Sequence, residues 1–150
     1  MSDLTDLYQE VILDHNRRPR HYGVMERPDR QAKGHNPLCG DRLTLFLRIE
    51  GDRIADVRFE GAGCAISRAS ASLMTEAIQG RTLEDVASLF NRFQAMITSP
   101  LDTAVGDESL GKLCVLGGVR EFPVRIKCAS LPWHTLKAAI ASSDQTAATE

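Results

Sequence analysis

The chain has no excess of positive charge: 18 lysines and arginines stand against 20 aspartates and glutamates, for a formal net charge of -2. No basic stripe interleaved with aromatics runs along it, which argues against nucleic acid as a main partner. It also lacks an apolar run of membrane-spanning length, so no membrane association is expected. The opening Met1-Ser2-Asp3-Leu4-Thr5-Asp6 is acidic and has neither the basic nor the apolar region of a secretory signal, and a cytoplasmic location follows as the expectation. Internal repeats and low-complexity tracts are missing. Cysteines are few, four in 150 residues, and none forms a CxxC knuckle. In a reducing compartment such thiols are read more readily as free groups or metal ligands than as disulfides.

What is present suits one soluble domain spanning 1–150, long enough to bury a core without covalent staples, with 43% hydrophobic and 25% charged residues. Leu4, Leu7, Tyr8, Val11 and Ile12 recur at helical spacing, predicting an amphipathic helix that stops before Pro19. From Arg17 to Asn36 the chain is polar and broken by Pro19, Gly23, Pro28 and Gly34, which reads as an irregular connection. Leu43, Leu45, Leu47 and Ile49 then alternate with polar residues, and after Gly51-Asp52 a second alternation runs through Ile54, Val57 and Phe59: a β-hairpin with one buried face. A helix is expected from Cys64 to Gln79, ended by Gly80, and another from Thr82, whose hydroxyl caps it. A short helix around Cys114 should end at Gly117-Gly118. The stretch Pro123 to Lys127 reads as a strand, followed by a last helix from Cys128 to about Ala141, and Ser142 to Glu150 as a frayed tail. These elements predict an α+β fold, a small antiparallel sheet of about three strands with helices packed on one side.

Chemistry concentrates at Cys39-Gly40-Asp41, Cys64 and Cys128, each at an element boundary. Because a hairpin returns the chain near its starting point, Cys39 before the first strand and Cys64 after the second can meet at one end of the sheet. Cys64, and Cys128 if it opens the last helix, would each gain thiolate character from a helix N-terminus. Three thiolates and one carboxylate satisfy the tetrahedral preference of zinc and equally suit iron or an iron–sulfur cluster. For the fourth ligand two candidates stand: Asp41, which could also simply start the strand, and His35, since imidazole binds zinc at least as readily. Cys114, in an apolar run without ligand-type neighbours, reads as a packing residue. His15, His21 and His134 read as solvated or helix-end histidines, and Arg125 and Lys127 as the solvent face of a strand.

The segments Asn36-Pro37-Leu38-Cys39-Gly40-Asp41, Gly61-Ala62-Gly63-Cys64-Ala65-Ile66-Ser67 and Arg125-Ile126-Lys127-Cys128-Ala129, with the opening Leu7 to His15 helix, together resemble the iron–sulfur assembly proteins of the IscU/SufU (NifU N-terminal) family. The resemblance covers most of the chain. It implies Cys39, Asp41, Cys64 and Cys128 as metal or cluster ligands, so Asp41 overtakes His35. Lys127 stands where IscU-type scaffolds carry histidine, no Leu-Pro-Pro-Val-Lys motif precedes Cys128, and a helical insertion at about 92–115 lengthens the interval between Cys64 and Cys128; these features point to the SufU branch. The resemblance then implies a zinc-dependent sulfurtransferase in iron–sulfur cluster assembly, with Cys39 as the catalytic acceptor of persulfide sulfur from a SufS-type cysteine desulfurase. Downstream SUF assembly proteins are the implied recipients, and a monomer with a transient heteromeric contact is expected. The alternative is a scaffold on which a transient [2Fe–2S] cluster, or iron, occupies the same ligands. Arg125 and Lys127 would steady a charged intermediate.

Overall fold

The computed structural model describes residues 3–37, 40–100, 108–141 and 144–148. In chain order these form α1 (Asp3–Arg17), β1 (Arg30–Asn36), β2 (Asp41–Glu50), β3 (Arg53–Ala62), α2 (Ala65–Ile78), α3 (Leu83–Ile97), a 3-10 segment (Glu108–Glu121), α4 (Pro123–Ala141) and β4 (Asp144–Ala148). The sheet order is β3-β2-β1-β4, with β1, β2 and β3 antiparallel and β4 parallel to β1. The fold is the expected α+β arrangement around a three-stranded antiparallel sheet. None of the described helices is long and apolar enough to cross a membrane.

The hairpin forms as its alternation dictates. Glu50 pairs with Arg53 across the two-residue turn, where Gly51 takes φ 62°, a conformation costly for any residue with a Cβ. Pairing shifts between Arg48↔Asp56 and Ile49↔Ile54, leaving Ala55 as a bulge. Leu43, Leu45, Leu47, Val57 and Phe59 are buried on one face, and with Ala32 they form the sheet side of the core. Helices supply the other side. Trp133 of α4 stacks on Phe93 of α3 with ring centroids 4.6 Å apart, joining those two helices in the core.

Four expectations are corrected. The connection from Arg17 to Asn36 is not irregular throughout, because Arg30–Asn36 is a full strand against β2. Its inward residues are Ala32, Gly34 and Asn36, small because α4 lies close above: a Cβ at Gly34 would overlap Thr135 Oγ1 and come within 3.1 Å of Leu131 Cδ1. The stretch Pro123 to Lys127 is helical. Pro123 opens α4, where its missing N–H costs nothing. The segment around Cys114 is a 3-10 run that continues through Gly117-Gly118 and is kinked at Gly111. Part of the expected frayed tail pairs as β4. Residues 92–115 contain the end of α3 and the start of the 3-10 segment, with 101–107 outside the described residues.

Candidate metal centre

Asp41 and Cys64 reach one end of the sheet for the reason the hairpin gives. Asp41 is the first residue of β2, Ala62 is the last of β3, and Arg42 pairs with Ala62. Cys64 follows after Gly63 and caps α2, its sulfur accepting from the Ser67 N–H at 3.5 Å. The same residue donates its backbone N–H to Asp41 Oδ1 at 2.8 Å. This bond fixes a carboxylate that is 0% exposed, and burial of that charge demands such a partner. Gly63, at φ +155°, lets the two meet: a Cβ there would lie 3.0 Å from both Asp41 Cα and Cγ.

Cys128 comes from a different element. It is the sixth residue of α4, fully buried, and does not stand at the helix N-terminus as the sequence suggested. The first turn of α4 projects its Phe122 and Val124 neighbours outward, 57% and 49% exposed, and brings the following turn over the end of β1. There Cys128 Sγ lies 3.7 Å from Asn36 Nδ2. Asn36 pairs with Asp41 across β1 and β2, so its side chain shares the inward face of the sheet with the carboxylate.

One donor atom each from Asp41, Cys64 and Cys128 lie within 4.8 Å of one another. Ligands at opposite corners of a tetrahedral zinc site with bonds near 2.3 Å stand about 3.8 Å apart, so two thiolates and a carboxylate in this volume fit a single zinc ion. Cys39 lies outside the described residues, though its neighbours Pro37 and Gly40 are at this end of the sheet; Gly40 N–H donates to Asn36 O at 2.8 Å. His35, the rival ligand, is not in the group. It lies on β1, pairs with Arg42 of β2 and alternates away from the inward face that carries Gly34 and Asn36.

The Arg125 guanidinium sits beside both sulfurs, and the negative charge of Cys64 first, then a hydrogen bond to Cys128, raises its pKa above the ordinary arginine value. It is therefore a neighbour of the site, on a helix, where the sequence suggested the outer face of a strand. Cys114 is half-buried and packs against the core, as expected. His15 stands in the last turn of α1, a helix-end histidine, but is buried rather than solvated: it is 2% exposed, with Nδ1 2.7 Å from Ser72 Oγ and Nε2 3.5 Å from Glu76 Oε1. His21 contacts Thr75 Oγ1 at 3.1 Å, and His134 lies 3.2 Å from Gln94 Nε2. These three histidines stand apart from the metal group. Asn36 is the site residue that sequence reasoning missed, although it opens the Asn36 to Asp41 segment; only the register of β1 reveals which way it faces.

The profile of the NifU-like N terminal domain matches residues 7–149. The chain is 40% identical over 144 residues to the zinc-dependent sulfurtransferase SufU of Bacillus subtilis (strain 168), covering 95% of each. It is 39% identical over 143 residues to the iron-sulfur cluster assembly scaffold protein IscU of Streptococcus pyogenes serotype M1, covering 95% of this chain and 88% of that one. Among solved structures, a candidate iron-sulfur cluster assembly scaffold protein for the SUF system of Fervidobacterium islandicum AW-1 superposes with a TM-score of 0.80 at 36% identity, over 87% of this chain and 94% of that one.

Proposed function

This chain belongs to the NifU-like N-terminal domain family of iron–sulfur cluster assembly proteins, and from that premise we propose that it is a zinc-dependent sulfur acceptor. Its sulfur donor is a SufS-type cysteine desulfurase, its acceptor thiol is Cys39, and Cys39, Asp41, Cys64 and Cys128 hold the zinc. The observation that carries the reading is the convergence of Asp41, Cys64 and Cys128 within 4.8 Å at the end of the hairpin. When bound, the zinc supplies Lewis acidity that keeps its thiol ligands deprotonated and their lone pairs engaged until a ligand is exchanged.

The protein's own groups do the rest. The Cys39 thiolate attacks the outer sulfur of the desulfurase persulfide; a new S–S bond forms on Cys39, the old one breaks, and the desulfurase cysteine leaves as a thiolate, with no net oxidation. Arg125, beside the Cys64 and Cys128 sulfurs, supplies positive charge against the anionic persulfide. Asp41 brings an oxygen donor of harder character than the thiolates, held in place by the Cys64 N–H.

The test is elemental analysis of the purified protein with Cys39→Ala, Asp41→Ala, Cys64→Ala, Cys128→Ala and Cys114→Ala, joined to mass mapping after incubation with desulfurase and cysteine. Near one zinc per chain, lowered in the first four variants and retained in Cys114→Ala, with one added sulfur on the Cys39 peptide, is the expected result. Iron and sulfide in place of zinc, without a persulfide on Cys39, would establish instead the scaffold reading that the Streptococcus pyogenes relative's name suggests, with a [2Fe–2S] cluster as cargo on the same residues.

A further inference from the structure

Cys64 and Cys128 meet the same requirement in different ways. A metal-bound thiolate keeps spare lone pairs, and donors to them fix its orientation and draw off electron density. Cys64 obtains its donor locally: as the cap of α2 it faces N–H groups that have no intrahelical partner, and Ser67 N–H reaches its sulfur at 3.5 Å. Cys128 faces no unbonded backbone N–H in its own helix, where its donor is the Arg125 side chain. By the sixth position of α4 the backbone N–H groups are bonded to carbonyls one turn back.

The sheet provides a further donor, from a rigid backbone. Asn36 is 0% exposed on a strand whose other inward residues are Ala32 and Gly34, so an amide stands where the packing alone would take another small apolar residue. Its Nδ2 is 3.7 Å from Cys128 Sγ. Its backbone is held on both sides, by the pairing with Asp41 and by Gly40 N–H, so the amide is presented from a rigid strand end. We infer that Asn36 is a positioning residue for Cys128, holding that sulfur on the metal and keeping it out of sulfur exchange while Cys39 reacts. The inference rests on the zinc reading above and adds to it a residue that keeps Cys128 in place as a ligand.

The test uses the full chain loaded with cobalt(II) in place of zinc, comparing wild type with Asn36→Leu, which keeps the volume and removes the N–H. Loss of the donor raises the energy of the sulfur lone pair, so the sulfur-to-cobalt charge-transfer band moves to lower energy. Metal affinity, measured by chelator competition, falls about 10–100-fold, the usual cost of losing an outer partner of a ligand. Iodoacetamide mapping of the metal-loaded protein should show Cys128 newly alkylated in the variant. A purely structural role would lower stability without moving the charge-transfer band. Should Asn36→Leu fail to fold, the wild-type protein loaded with 113Cd and labelled with 15N decides the matter: coupling between cadmium and the Asn36 side-chain amide proton is expected, and its absence overturns the inference. Unchanged spectra and affinity in a folded Asn36→Leu overturn it alone. A wild type that takes up neither zinc nor cobalt overturns the zinc reading and this inference together.

Discussion

Gly34→Ala should separate α4 from the sheet and weaken the metal site with it. The strand tolerates alanine conformationally, so any cost arises from contact. The new methyl would overlap Thr135 Oγ1 and stand 3.1 Å from Leu131 Cδ1 and 3.3 Å from Thr135 Cβ, each inside ordinary van der Waals separation. Rotating Thr135 gives incomplete relief, because its Cβ and Leu131 remain close and its hydroxyl would leave Leu131 O, which it reaches at 2.8 Å. Overpacking of this kind costs about 1–3 kcal/mol, and giving up the hydroxyl bond adds about 1 kcal/mol. If α4 yields instead, Cys128, two turns before Thr135, moves away from Asn36 and Asp41. Denaturant unfolding of the metal-free protein should therefore show a loss of about 1–4 kcal/mol, and chelator competition a weaker metal site. Thr135→Ala opens the space, so the double variant Gly34→Ala/Thr135→Ala should be more stable than the sum of the two single losses predicts. A Gly34→Ala protein within about 0.5 kcal/mol of wild type, or strict additivity in the double variant, would refute the argument that small residues on β1 set the height of α4.

Gly63→Ala places a side chain at φ +155° against Asp41; it should cost about 1–3 kcal/mol and reduce bound metal in elemental analysis more than a substitution at exposed Gly40 would. Burial first, and then the Arg20 charge, lower the pKa of His15, while Glu76 and Asp14 oppose them. The unfolded chain therefore binds the proton more readily, so stability should fall as pH drops below about 6.5, by at most about 1.4 kcal/mol per pH unit for this group, and level off below the lowered folded pKa. His15→Gln should flatten that slope in urea midpoints measured between pH 7 and 5. Thr82→Ala removes the acceptor that Asp85 N–H reaches at 3.1 Å and should lower the thermal midpoint through a loss of about 1 kcal/mol.

The hairpin and the caps at Cys64 and Thr82 were legible in the sequence because their signals are local: alternating leucines, a Gly-Asp turn, a side-chain acceptor before an apolar helix. β1 was hidden for a tertiary reason. Its inward face is Ala32, Gly34 and Asn36, a pattern without hydrophobic contrast, and the residues are small because Thr135 and Leu131 approach from above. The start of α4 misled in the opposite direction. Val124-Arg125-Ile126-Lys127 alternates over four residues, too few to distinguish a period of 2 from one of 3.6, and Val124 turns out exposed. Pro123, permitted at the first position of a helix, was the better signal. β4 takes its identity from the edge of β1, to which Gln31 to His35 pair it. For the site, residue type and position put Cys64 and Cys128 forward and left Asp41 beside His35 until the family resemblance favoured Asp41, while Asn36 required the register.

The sulfur exchange proposed for Cys39 requires the other three ligands to keep their places while one bond opens, and the protein's contacts address each of them separately. Asp41 is tied to the Cys64 N–H, and Cys64 to the Ser67 N–H, so that both are fixed by the hairpin end and the first turn of α2. Cys128 is fixed by α4, which is itself seated by Trp133 against Phe93 and by Ser70 Oγ, donating to Ala129 O at 2.6 Å one residue beyond that cysteine. Ser70 belongs to α2, so the helix that carries Cys64 also grips the helix that carries Cys128. The distance between the two sulfurs thus depends on a bond between their own helices rather than on the metal alone. A ligand frame assembled this way can lose one donor transiently and retain the geometry to which that donor returns.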